Sequence, residues 1–255
     1  MADSGRYDYI QTRLQARHGQ RPTAATWQRL TALRDLSLFL QTARSSGLRP
    51  WLEGFAPDTP PHRMEQLLRQ RFRAEAQLVA SWQPRAWQAA TAWIAHWIDL
   101  PALGGLLRLE QPPAWMREDP DYGPLAELPR AARGEAMSHS RWAALAPAAG
   151  RSIDLRRVWF ARWRRLWPQQ RDKQLELLAT ALQQQLPQGD ATATSPAADA
   201  AAREHWRSWL KFRFRQHTRS PLTPMLYLFM LAQDVERLRG ELLQRRLFPP
   251  PAEAA

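Results

Sequence analysis

The longest periodic stretch of the chain runs from Ser220 to Phe248: SPLTPMLYLFMLAQDVERLRGELLQRRLF. Leu228, Leu231, Val235, Leu238 and Leu242 recur at three- and four-residue steps, so a helix puts them on one face. Thr223 can act as N-cap, and Pro224 fits the first helical position, where its missing N–H costs nothing. Pro249, Pro250 and Pro251 cannot continue a helix, which therefore ends near Phe248. The spacing predicts one capped amphipathic helix over 222–248, about 35 Å long at 1.5 Å per residue. In a chain of 255 residues, such a helix is expected to be a spine that other helices pack against.

Upstream the same period recurs. Asp8 to His18 reads as a helix ended by Gly19, and a second helix is expected from Pro22 and Thr23 to about Ser46, stopped by Gly47. Its buried stripe is Trp27, Leu30, Leu33, Leu36, Phe39 and Leu40. Pro60 and Pro61 start a third helix running to about Trp82, and Pro84 a fourth over Arg85–Ile98. Asp99 to Arg108 suggests a bend and a short helix. Between Glu110 and Gly150, prolines cut the pattern into pieces, with short helices expected near Asp121–Leu128 and Gly134–Leu145. Ser152 is expected to cap a helix over Ile153–Trp167, followed by helices over Lys173–Leu186 and Ala201–Gln216. Pro187 to Ala202 (PQGDATATSPAADAAA) is low in complexity and reads as a loop. The expectation is an all-α fold of nine or ten helices in three blocks: 1–82, 84–150 with Pro-rich loops, and 151–255 with the spine.

Composition agrees with helix. Val, Ile and Thr are scarce, Ala, Leu, Gln, Arg and Glu abundant, and no stretch alternates as a strand would. The chain has no cysteine, which excludes disulfides and thiolate chemistry and suits a reducing compartment. The opening MADSGRYDY lacks an apolar signal core, so no secretion is expected. The longest uncharged apolar run, Pro221 to Gln233, is short of the roughly 20 residues needed to cross a bilayer. The net charge of +12 comes from 36 Lys and Arg against 24 Asp and Glu, and favours acidic partners. Part of that bias is what a GC-rich genome encodes.

Catalytic patterns are missing from the sequence. No Gly-rich phosphate loop precedes a Lys-Ser/Thr pair, and there is no GxSxG elbow. The six histidines lie far apart, so neither a metal site nor any other cofactor is expected. The 13 tryptophans are a separate signal. Trp159, Trp163 and Trp167 stand at i, i+4, i+8 among Arg156, Arg157, Arg162, Arg164 and Arg165. Trp206 and Trp209 stand among Arg207, Lys211, Arg213 and Arg215. Single-stranded nucleic-acid binders interleave rings and cations in this way. The spacing is equally that of a buried helical stripe whose other face carries solvated Arg, and that reading is preferred.

Tyr227 to Arg239 reads YLFMLAQDVERLR. Its Tyr227, Leu228, Phe229, Asp234, Val235, Leu238 and Arg239 resemble the C-terminal helix of the central-stalk socket family of V/A-type ATPases. That family comprises the C-type proteins of archaeal and bacterial enzymes and the d-type (AC39) proteins of eukaryotes. Tyr7-Asp8-Tyr9-Ile10, with Arg13 and Arg17, resembles the family's opening Tyr-x-Tyr helix. Met64-Glu65-Gln66-Leu67-Leu68 resembles its hydrophobic-Glu-x-x-Leu start of a later helix. Leu100 to Arg108 loosely resembles a segment ending in Leu-Arg. The chain departs from the pattern at Asp234, where Glu is usual, at Arg237, where Asn is usual, and at Leu231, where Lys is common. It is also shorter than typical members.

The resemblance implies a pseudo-threefold funnel of three related helical bundles that seats the central shaft on the membrane rotor ring. It implies a non-catalytic, cytoplasmic protein, peripheral on the membrane face, with shaft proteins of the D and F types and the rotor ring as partners and no small-molecule substrate. The residues carried by the resemblance are Tyr7, Tyr9, Arg13, Glu65, Tyr227, Asp234 and Arg239. Arg156, Arg157, Arg164 and Arg165 are the candidate interface cations. Asp234 is expected to pair with Arg237, Arg239 or an Arg of the N-terminal helix such as Arg13. The alternatives are a nucleic-acid-binding helical protein and a helical adapter of a secretion or other membrane machine.

Overall fold

A computed structural model describes residues 2–148, 155–168, 173–184 and 196–248. Every regular element among them is helical and no strand occurs, so the fold is all-α. The chain runs through α1 (Ala2–Gly19), α2 (Ala24–Ala32), α3 (Leu36–Arg44), α4 (Pro61–Trp82), α5 (Arg85–Trp93) and α6 (Leu100–Arg108). Three short helices follow: α7 (Ala114–Glu118), α8 (Gly123–Ala126) and α9 (Arg130–Ser138). The last four are α10 (Leu155–Arg165), α11 (Lys173–Gln184), α12 (Pro196–Gln216) and α13 (Leu222–Leu247). Single 3-10 turns lie at Arg49–Trp51, Ile94–Asp99 and Ala143–Ala148.

Helix α13 is the spine, packed against α1, α3, α4, α12 and the 3-10 turn at Ile94–Asp99. Its first half is not amphipathic. Every residue from Leu222 to Ala232 is buried, so neighbours surround it on all sides. A helix apolar all round belongs in the centre of a fold. The one-sided pattern sets in only at Asp234, after which Val235, Leu238, Leu242 and Arg245 face inward. Each large apolar side chain sunk here contributes about 1.5–3 kcal/mol, and Phe229 joins an aromatic group with Trp97, Trp159 and Trp163. Thr223 does not cap the helix. It lies inside the first turn and its hydroxyl donates to the His217 carbonyl at 2.8 Å, while Ser220 Oγ accepts the Leu222 N–H at 3.2 Å.

The expected second helix is two. Thr23 caps α2 by accepting the Thr26 N–H. Leu33 then turns extended and Asp35 starts α3, its carboxylate accepting the Leu38 N–H at 2.7 Å. Asp competes for backbone donors in this way and favours a helix start over a helix interior. The carbonyls freed at the end of α2 are taken up from a distance. Arg245 of α13 donates to the carbonyls of Leu30 (3.0 Å), Thr31 (3.3 Å) and Leu33 (2.7 Å). A helix C-terminus needs such donors, and a cation there also meets the dipole. Arg133 repeats the device on α6, donating to the carbonyls of Leu106, Leu109, Glu110 and Leu128.

Other boundaries shift for local reasons. The expected helix over Arg85–Ile98 tightens to 3-10 from Ile94 to Asp99, and a new helix starts at Leu100 with Pro101 in its first turn, where the missing N–H costs nothing. The Ala-rich segment from Pro196 is helical, so α12 begins five residues before the expected start at Ala201, with Pro at its first position. Residues 187–195, and the expected cap Ser152, lie outside the described residues.

Candidate functional site

A cleft of about 290 Å³ opens beside α13. Its walls come from the end of α1 and the turn after it, from residues 47–51, from α4 and from the middle of α13. Gly47 forms one edge. A side chain there would meet the backbone oxygen of Gln20 at 1.7 Å, so the close approach of these two chain segments requires glycine.

Two ion pairs tie the walls together. Arg21 Nε donates to Asp234 Oδ2 at 2.6 Å, with both side chains almost fully buried. The same guanidinium donates to the Met230 carbonyl at 3.1 Å and to His18 Nδ1 at 3.3 Å. Arg17 Nη1 meets Glu75 Oε1 at 2.5 Å, and the Tyr227 hydroxyl donates to the same carboxylate oxygen at 3.2 Å. Burial pushes the Tyr227 phenol pKa up, and the negative charge of Glu75 adds to the rise.

The residues singled out in the sequence fall on both sides of this geometry. Tyr227 and Asp234 line the cleft. The partner of Asp234 is Arg21, not Arg237, Arg239 or Arg13. Arg237 lies over the Trp27 ring, 4.6 Å from its centre, and Arg239 pairs with Glu65 of α4. Arg13 sits between the rings of Tyr9 and Trp82, at 5.0 and 4.9 Å. Tyr9 is half exposed and Tyr7 packs partly against the core. Arg21 and Glu75 have no linear signal, since their partners are 213 and 152 positions away.

A second polar cluster was not visible in the sequence. Asp99 is fully buried and accepts from Arg73 Nη2 (2.7 Å), the Tyr122 hydroxyl (3.1 Å) and Trp142 Nε1 (3.4 Å). Arg69 lies 3.7 Å from it and also pairs with Asp119. Arg73 continues to Asp121 at 2.6 Å, and Asp121 to Arg141 at 2.8 Å. Burial alone would raise the Asp121 pKa, but the hydrogen bonds and charges of Arg73 and Arg141 outweigh it and hold the carboxyl below its usual range. These pairs fasten α4 to the segment from Asp99 to Trp142.

Of the candidate interface cations on α10, Arg157, Arg164 and Arg165 are exposed and Arg156 is half-buried. Arg164 meets Glu176 of α11 at 3.2 Å. The tryptophans between them do not share that surface. Trp159 and Trp163 are fully buried, the Trp163 indole N–H donating to the Ala90 carbonyl at 3.0 Å. Trp206 is buried and stacks on Trp209 at 5.0 Å. Among the described residues, no group of three His, Cys, Asp or Glu could hold a metal ion, and no helix is long and apolar enough to cross a membrane. In comparisons with known proteins, no family model, no curated protein and no solved structure matches the chain.

Proposed function

We propose that the chain is the non-catalytic central-stalk socket of a V/A-type rotary ATPase, coupling shaft rotation to the membrane ion-translocating ring. The reading rests on the resemblance of Tyr227–Arg239 and of the Tyr7–Arg17 helix to the C-type and d-type (AC39) family. The observation that carries it is how the polar residues of that wording are used. Tyr227, Asp234 and Arg239 all bind inward, to Glu75, Arg21 and Glu65 respectively. A torque coupler needs a closing helix locked to the helices beside it, and three polar ties from α13, two to α4 and one to the turn after α1, support that rigidity. In this reading the three blocks form the funnel, and the exposed guanidinium groups of α10 meet acidic loops or headgroups.

The nucleic-acid reading is weaker because Trp159 and Trp163 are fully buried and Trp206 nearly so, which leaves few rings for bases to stack on. The test is co-expression with shaft proteins of the D and F types and a rotor-ring protein encoded beside this chain. Co-purification of a stoichiometric complex is expected. A chain that purifies alone, and instead shifts single-stranded oligonucleotides with a steep salt dependence, overturns the proposal.

A further inference from the structure

The cleft beside α13 holds more positive charge than it neutralises. Arg17 is matched by Glu75 and Arg21 by Asp234. Arg71 of α4 lines the same cleft and has no such match. Its Nη2 donates to the backbone carbonyl of Glu53, its guanidinium lies 5.7 Å from the centre of the Phe55 ring, and its Nη1 finds no acceptor. Burial disfavours its charge, and only the nearby charge of Glu53 opposes this. Nη1 is itself buried, so what the cleft meets is the unmatched charge of a half-buried guanidinium, which an anion brought beside it stabilises.

The rest of the lining is apolar. Trp51, Leu78 and Leu231 face the same space from three different elements. Leu78 is 40% exposed at the rim, while Leu231 is buried at the base. The volume is near the lower end of what small-molecule sites offer. Apolar walls with one unbalanced cation select a ligand built the same way.

We infer that the cleft binds a small monoanion with an apolar body, a carboxylate on an alkyl or aryl tail, its head beside Arg71 and its tail against Trp51, Leu78 and Leu231. The inference stands apart from the rotary reading, since no shaft or ring contact enters it.

Calorimetric titration of the full chain with decanoate, and with decanol as the neutral analogue, tests it below the micellar range of either. Decanoate is expected to bind one to one, at least tenfold more tightly than decanol. Arg71→Met keeps the apolar stem and is expected to bring decanoate down to the decanol level while leaving decanol unchanged. Arg71→Gln, which keeps a donor for the Glu53 carbonyl, is expected to do the same, so the charge preference is read even if Arg71→Met folds poorly. Ala74→Trp, at an exposed position of α4 that lines the cleft, is expected to abolish binding of both with no change in melting temperature. Equal affinity for decanoate and decanol in the unsubstituted chain overturns the inference. So does decanoate binding that survives Ala74→Trp, or no binding at all.

Discussion

Arg21 and Asp234 lie 213 positions apart and meet at 2.6 Å, both side chains nearly excluded from water. The pair joins the turn after α1 to the middle of α13. Removing one member of a buried pair leaves the other charged and unmatched, which costs about 3–5 kcal/mol. Asp234→Leu is therefore expected to destabilise the chain by about that amount, read as a lower midpoint in urea unfolding. Arg21→Met combined with Asp234→Leu is expected to recover most of the loss, because the orphaned charge is gone. A double variant no better than the single one would contradict this account. In the proposed rotary complex, the single variant is expected to weaken assembly in step with its loss of stability.

Arg245 closes α2 from the far end of α13 through three backbone carbonyls and is held in place by Glu241 at 2.7 Å. Arg245→Met keeps most of the stem but removes the side-chain donor, leaving the Leu30 carbonyl with only the Leu33 N–H at 3.2 Å. Thr31 is exposed and Leu33 half-buried, so water takes over part of the loss, and a cost of about 1–3 kcal/mol in all is expected. Amide hydrogen exchange should show where it falls, with faster exchange concentrated in α2 and its junction with α3. Uniformly faster exchange along the whole chain would mean that Arg245 does not act as a local cap.

These two arginines show what the linear pattern could and could not reveal. The all-α class was legible because apolar residues recur at helical spacing and helix formers dominate. The spine was legible for the same reason, and the ends of α4 were marked by Pro61 and Pro84. Positive charge, by contrast, read as surface. Arg69, Arg73, Arg133 and Arg245 are all buried, spent on carboxylates and helix-end carbonyls. A partial signal existed, since Arg69 and Arg73 stand beside Leu68 and Phe72 on the inward stripe of α4. Which carboxylates they meet depends on how distant segments dock, and no spacing in the sequence encodes that. The cleft is hidden for the same reason, being assembled from four separate stretches.

Gly47 is a steric requirement. A Cβ at this position would stand 1.7 Å from the Gln20 oxygen, far inside contact distance, and the obstacle is backbone. Gly47→Ala must push residues 47–51 away from the end of α1. Overpacking of this kind costs about 1–3 kcal/mol or more. The variant is expected to melt at a lower temperature and to widen the cleft, with weaker decanoate binding as a second reading. Gly54 has open space around a Cβ, so Gly54→Ala does not reproduce the clash even though its φ of +70° brings some strain. A Gly47→Ala protein that melts like the unsubstituted chain would show that the two segments separate at no cost.

Acid sensitivity should begin well above the carboxylate range. His18 is packed against the Phe214 ring at 4.8 Å. Burial first, then the charges of Arg21, Arg215 and Lys211, lower its pKa to about 4. Its Nδ1 faces the Arg21 guanidinium at 3.3 Å and accepts from it, so a proton on that nitrogen would set donor against donor. Between the ordinary value of 6.5 and about 4, the unfolded chain binds a proton that the folded chain refuses. Stability therefore falls as pH drops through that window, and the loss levels off below about 4. His96, half-buried beside Trp93, has a lowered pKa as well, chiefly from desolvation, and contributes a loss of the same sign. Melting temperatures measured from pH 7 to pH 4.5 are expected to decline. His18→Gln keeps an acceptor for Arg21 without a titrating group and is expected to flatten part of that decline, His96 supplying the remainder. A decline of equal steepness in His18→Gln would place the acid-sensitive step elsewhere in the fold.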